Sequence, residues 1–219
     1  MGTLLQDLKY GARQLGRNPG FTVVAVIALA LGIGANTAIF SVVNTVLLSP
    51  LPFPQPNQLV TIRQRAKHVV GAGVSYPNFF DWRAQNQVFS HVAAYRGNDF
   101  TLTGMGNAVH LPGEIVTWDL FQLLGVRPLL GRAFLPNEEK AGSHVVVLSY
   151  SLWQSRFKSN PGVVDQAITL NDKSYTVVGV MPAGFQFPIS AESPALWTTC
   201  AVDAENKARI PTHRGWNLL

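Results

Sequence analysis

The chain has 219 residues, of which 13% are charged and 47% hydrophobic, with a net charge of +5 and a single cysteine. That is roughly half the charge of an average soluble domain, which excludes an intrinsically disordered chain. Cys200 has no partner for a disulfide framework, and the seventeen Lys and Arg form no run of the kind a generic nucleic-acid binder carries.

In chain order, Leu4, Leu5, Leu8, Ala12 and Leu15 recur at helical spacing, with Gln6, Lys9 and Arg13 elsewhere on the wheel. The pattern suits an amphipathic helix lying on a membrane face, against the alternative of a frayed soluble tail. Asn18-Pro19-Gly20 then marks a turn. The missing charge is concentrated just beyond it, because no Lys, Arg, Asp, Glu or His occurs between Arg17 and Arg63. Phe21 to Leu48 is an uncharged apolar stretch that would be about 42 Å long as a helix, against a hydrocarbon core of roughly 30 Å. Pro50, Pro52, Pro54 and Pro56 end it. A transmembrane helix is the reading preferred here. A cleaved signal peptide (Ala28-Leu29-Ala30 offers a small-x-small site) and a buried soluble helix are its competitors, and both fit an apolar stretch of this length poorly.

Lys9, Arg13 and Arg17 precede the span against Asp7 alone, whereas Ser49 to Ile62 is uncharged. Positive-inside asymmetry therefore orients the N-terminus to the cytoplasm and the chain beyond Pro50 to the outside. Within the span Ala30, Gly34 and Ala38 repeat every four residues, with Ala28 and Gly32 as a neighbouring small pair. Such a ridge lets another helix approach closely in lipid, although Gly and Ala are also simply frequent in membrane helices. Asn36 and Asn44 add amides that want a partner on another helix or among the headgroups.

Beyond the prolines, apolar stretches shorten to strand length. Leu59–Ile62, Phe100–Thr103, Val109–Val116, His144–Ser149, Ala167–Leu170 and Ser174–Val180 read as strands, the last two joined by a hairpin-like turn at Asn171-Asp172-Lys173. Tyr76–Gln85, Trp118–Leu124 (closed by Gly125) and Leu152–Phe157 read as helices. The irregular alternation predicts an α+β fold: one N-terminal transmembrane helix followed by a mixed α/β domain.

The chemistry-bearing motifs are sparse. There is no P-loop, and Gly32-Ile33-Gly34 is half a dinucleotide fingerprint lying inside the apolar span. His68, His91, His110, His144 and His213 reach no metal-ligand spacing, so no metal site is expected. Glu138-Glu139 reads as a solvated helix start rather than a general acid and base, and Ser149 and Ser151 lack a nucleophile elbow. Trp82, Trp118, Trp153, Trp197 and Trp216 read as core or interface anchors, and Cys200 as a packing residue. No catalytic site and no bound cofactor are expected.

The run Ala30-Leu31-Gly32-Ile33-Gly34-Ala35-Asn36-Thr37-Ala38-Ile39-Phe40-Ser41-Val42-Val43-Asn44, followed by Leu51-Pro52-Phe53-Pro54, resembles the first membrane helix of MacB/FtsX-type ABC transporter permeases. The resemblance continues at Ser75-Tyr76-Pro77-Asn78-Phe79-Phe80-Asp81-Trp82-Arg83 and at Leu123 to Arg132. It resumes at Val147-Leu148-Ser149-Tyr150 with Leu152-Trp153, at Pro161-Gly162-Val163-Val164, and at Tyr175 to Pro182. These look like a MacB-like periplasmic core domain of the version common among acidobacterial-type permeases. The resemblance implies three parts: a cytoplasmic amphipathic segment over 1–20, a transmembrane helix over 21–48, and the periplasmic core domain over 49–219. It further implies an inner-membrane permease component of an ABC export or mechanotransmission system, not an enzyme, whose periplasmic domain is moved by a separate cytoplasmic ABC ATPase that alone binds ATP. Further permease helices or a second permease copy, the lipid bilayer and a periplasmic protein are the other implied partners, and nucleic acid is not one. Family permeases continue into at least three more membrane helices, whereas this chain stops at Leu219, and Arg214-Gly215-Trp216-Asn217 reads as the approach to a strand that never comes. An incomplete domain is therefore expected, and a passive membrane-anchored binding module or a non-functional truncated permease are the competing readings.

Overall fold

The computed structural model describes residues 11, 13, 15–44, 52–66, 69–190, 192–205 and 215–219. The chain divides into two compact units, 1–51 and 52–219. In the first, α1 (Pro19–Val43) is a 25-residue helix, about 38 Å long. Pro19 suits the first turn because its missing N–H would be unsatisfied there anyway. The Thr22 hydroxyl stitches this start to the preceding helical residues by donating to the carbonyls of Leu15 (2.7 Å) and Asn18 (3.0 Å). Of the apolar stretch expected to be helical, Thr45–Leu48 lie outside the described residues, as do Leu4, Leu5 and Leu8 of the amphipathic segment.

The second unit is built on strands. β1 (Gln64–Ala66) and β2 (Val69–Ala72) form a separate antiparallel pair. The main sheet contains β3 (Ala94–Thr103), β4 (Val109–Val116), β5 (Leu130–Gly131), β6 (Val145–Leu148), β7 (Ala167–Leu170), β8 (Lys173–Val180), β9 (Leu196–Thr199) and β10 (Asn217–Leu218). Its pairings run from β3 to β4 to β9 to β6 to β8 to β7, and the contact of Leu102 and Thr103 with Leu170 and Thr169 brings β7 back to β3. Six strands thus form a closed circuit, in which β4 with β9 and β6 with β8 are parallel and the other neighbours antiparallel. The hairpin between β7 and β8 makes that closure possible. Asn171 and Asp172 both adopt left-handed backbone (φ 49° and 61°), the twist that favours tight hairpins. The Asn171 side-chain oxygen also accepts from the Thr101 amide at 2.8 Å, pinning the turn onto β3.

Apolar residues fill both faces of this sheet. On β6, Val146 and Leu148 join one cluster, while Val145 and Val147 join the other, as the two-residue period requires. The first cluster packs against α2 (Tyr76–Gln85) through Phe79 and α4 (Tyr150–Phe157) through Leu152, Trp153 and Phe157. The second packs against α3 (Leu120–Leu123) with Phe53, Phe134, Met181 and Trp197. Ser75 and Ser149 start α2 and α4 by accepting N–H bonds from Asn78 and Leu152, so Ser149 is a helix cap.

The structure corrects several expected boundaries. Leu59–Ile62 is not a strand, since Ile62 makes only an isolated bridge to Leu218. The β3 strand begins at Ala94, six residues before the apolar stretch that signals it, and β9 carries no alternation because all four of its residues are buried. The expected helix over Trp118–Leu124 is the single turn α3, ended by Gly125 at φ 68°. Trp216 bridges Val74, and Asn217–Leu218 pair with Tyr95 and Ala94, so this segment is itself part of the sheet rather than an approach to a strand.

Candidate functional site: an uncovered apolar helix and a braced domain

Two features stand out, one in each unit. Along α1 the described side chains are exposed or at most partly covered, including Phe21 (72%), Leu31 (69%) and Phe40 (64%). A helix apolar on all sides belongs either in a protein core or in a membrane, and no part of Pro19–Ser41 is buried within the chain. It is long and apolar enough to cross a bilayer. Ala30, Gly34 and Ala38 lie along one exposed strip of it, and among the described residues nothing comes within 4 Å of where a Gly34 side chain would begin. Arg13 and Arg17 are exposed on the helical residues before Asn18, and Lys9 lies outside the described residues.

The second feature is a set of charged braces in the domain. From α2, the Arg83 guanidinium reaches Asp119 Oδ2 at 3.1 Å and Glu139 Oε2 at 3.4 Å. Its central carbon lies 5.8 Å from the ring centres of both Phe79 and Trp118. The second oxygen of Glu139 accepts from the Trp118 amide at 2.9 Å. Burial raises the Glu139 carboxyl above its ordinary range, opposed by that amide and by Arg83. Beside it Cys200 is buried, and burial pushes both its thiol and the neighbouring Tyr76 hydroxyl up, so neither ionises readily.

Glu138 turns the other way. It receives both amino groups of Arg132, at 3.0 and 2.6 Å, and the Leu135 amide at 2.8 Å. The expectation of a solvated acidic pair is therefore corrected: Pro136–Glu139 is a short 3-10 turn, and each carboxylate is occupied by its own arginine. A third brace joins Arg96 of β3 to Asp203 of α5 (Ala201–Glu205) through two bonds, one from Nε at 2.8 Å. Carboxylates held this way are structural ties between elements rather than free acids or bases. Two of these pairs are not legible from spacing, because Arg83 and Glu139 are 56 positions apart and Arg96 and Asp203 are 107 apart. Of the tryptophans, Trp153, Trp197 and Trp216 are core residues, while Trp82 is exposed.

Comparison with known proteins gives a consistent result. The model of the family described as MacB-like periplasmic core domain matches residues 22–212. No curated protein matches the sequence. The periplasmic region of MacB from Actinobacillus actinomycetemcomitans superposes with a TM-score of 0.51 at 15% identity, over 70% of this chain and 66% of that one. The extracellular domain of the noncanonic ABC-type transporter YknZ from Gram-positive bacteria superposes with a TM-score of 0.54 at 10% identity, over 72% of this chain and 79% of that one. The chain thus spans just under two thirds of the MacB region and a larger share of the YknZ domain, and at these identities the likeness is one of fold.

Proposed function

From membership of the family of MacB-like periplasmic core domains, to which this chain belongs, we propose that it works as a membrane-anchored permease component of an ABC export or mechanotransmission system. In this reading α1 spans the inner membrane with the N-terminus in the cytoplasm, and the unit from Pro52 onward is periplasmic. A separate cytoplasmic ATPase binds and hydrolyses ATP and moves the domain, and the chain itself holds no cofactor and catalyses nothing. The observation that carries the reading is the pairing of a domain of this family with a helix whose apolar surface the chain leaves bare. The orientation rests on Arg13 and Arg17, with Lys9, ahead of an uncharged exit. The braces at Arg83, Arg96 and Arg132 support it as well, because a domain that relays displacement must resist deforming.

The test is affinity purification of the full chain from mildly solubilised membranes. An ABC ATPase should co-purify, and Gly34→Leu should cut its recovery about tenfold, the effect of roughly 1.4 kcal/mol at the helix contact. Ile33→Leu, off the ridge, should leave recovery unchanged. Absence of any ATPase from the wild-type preparation would refute the energy-coupled reading. It would favour a passive anchored binding module.

A further inference from the structure

One buried carboxylate stands outside the braces. Glu114 sits in mid-β4 between Gly97 of β3 and Trp197 of β9, is only 8% exposed, and its Oε2 has no hydrogen-bond partner. Its other oxygen lies over Gly97, 3.7 Å from where a side chain at that position would begin. The same two residues line a cleft of about 300 Å³ with Asn98, Asp99, Ser190 and Glu192. Of all the residues lining that cleft, three are carboxylates and none is a cation. The Arg96 guanidinium, which acts on Glu114 electrostatically, is committed to Asp203.

Two hydrogen bonds hold the rim of the cleft. Gln186 donates to the Ser190 carbonyl at 2.7 Å, and the Ser190 hydroxyl donates to the Glu192 carbonyl at 2.6 Å. A carboxylate buried without a counter-charge is expensive. Burial accordingly pushes Glu114 up to about 7, with Arg96 pulling it partly back. The remaining charged or titratable groups on this side are Tyr95 and Asp99 of β3, His110 of β4, whose Nε2 lies 3.6 Å from Asp99 Oδ1, and Glu192 of the loop; Tyr95 is itself raised by burial and by Glu114, and lowered by Arg63. Among the described residues no three His, Cys, Asp or Glu converge as metal ligands would.

We propose that this cleft binds the ammonium or guanidinium group of an organic cation, either a small molecule or the basic side chain of a peptide, with Glu114 as its buried counter-ion. Binding then removes the proton that the empty cleft leaves on Glu114. The proposal does not depend on energy coupling by an ATPase.

The test is calorimetric titration of the full chain in detergent with agmatine, propylamine and the tripeptide Gly-Arg-Gly, each in two buffers of different ionisation enthalpy. Saturable binding at millimolar concentration or better is expected, with proton release near neutral pH. Glu114→Gln should weaken it at least about tenfold and abolish the proton release, and Asp99→Asn should weaken it less. A fold check by thermal unfolding accompanies each variant. A tighter tripeptide assigns the guest to a basic peptide, and a tighter agmatine to a small molecule; either supports the site. The proposal is overturned if no probe saturates by about 10 mM, if Glu114→Gln binds as wild type does, or if calcium ion binds more tightly than every amine.

Discussion

The Arg83 guanidinium answers two carboxylates delivered by distant parts of the chain, and the aromatic faces of Phe79 and Trp118 flank it. Asp119 and Glu139 keep only 4% and 13% of their side-chain surface, so removing the arginine leaves two buried acids facing each other. Arg83 is 23% exposed, which lowers the expected loss for Arg83→Met to about 2 kcal/mol, a fall of roughly 4–8 °C in Tm. The loss should grow with pH. Glu139 already sits above its ordinary value, and without Arg83 it rises further, so the folded chain holds a proton that the unfolded chain releases. Stability contributed by such a group is present at low pH and disappears as pH climbs through the folded value. Thermal melts at pH 5 and pH 8 measure this, and an equal loss at both would overturn the part assigned to Glu139.

Between elements, one close approach is where β5 pairs with β8. Gly131 adopts φ 70°, and a side chain there would run into the Val178 carbonyl oxygen, while one on Gly179 would meet the carbonyl of Arg132. Gly131→Ala should therefore cost about 2 kcal/mol or more, combining left-handed strain with the clash, and a denaturant titration will show it as a lowered midpoint with an unchanged slope. How far such elements are legible in the sequence follows from what surrounds them. Val145-Val146-Val147-Leu148 announces β6 because a strand buried on both faces needs a continuous apolar run, and Asn171-Asp172 announces the hairpin because few residues tolerate two left-handed positions. Leu59–Ile62 carries the same local signal but finds no neighbour to pair with beyond the Ile62 bridge, and β10 is two residues long. The apolar helix and its small-residue ridge were visible at once. The Arg83 and Arg96 braces and the Glu114 cleft were not, because their members meet only after the sheet has assembled.

Across the whole molecule, the division at Leu51 separates a helix with no buried side of its own from a domain with two apolar clusters. Residues 52–219 expressed alone should accordingly remain soluble and unfold cooperatively within about 2 °C of the full chain's domain transition, measured by circular dichroism. A large drop, or aggregation, would show that the helix contributes to the domain's stability.

The way residues 216–219 are stitched in bears on biogenesis. Trp216 bonds to Val74, Leu218 to Ile62, and Leu219 exchanges both backbone bonds with Ala93. These partners leave the ribosome well over a hundred residues before the segment that completes them. Contacts of such long range make assembly slow. β3 must therefore keep part of one edge unpaired until this segment arrives. That interval is when the domain is open to proteases and chaperones.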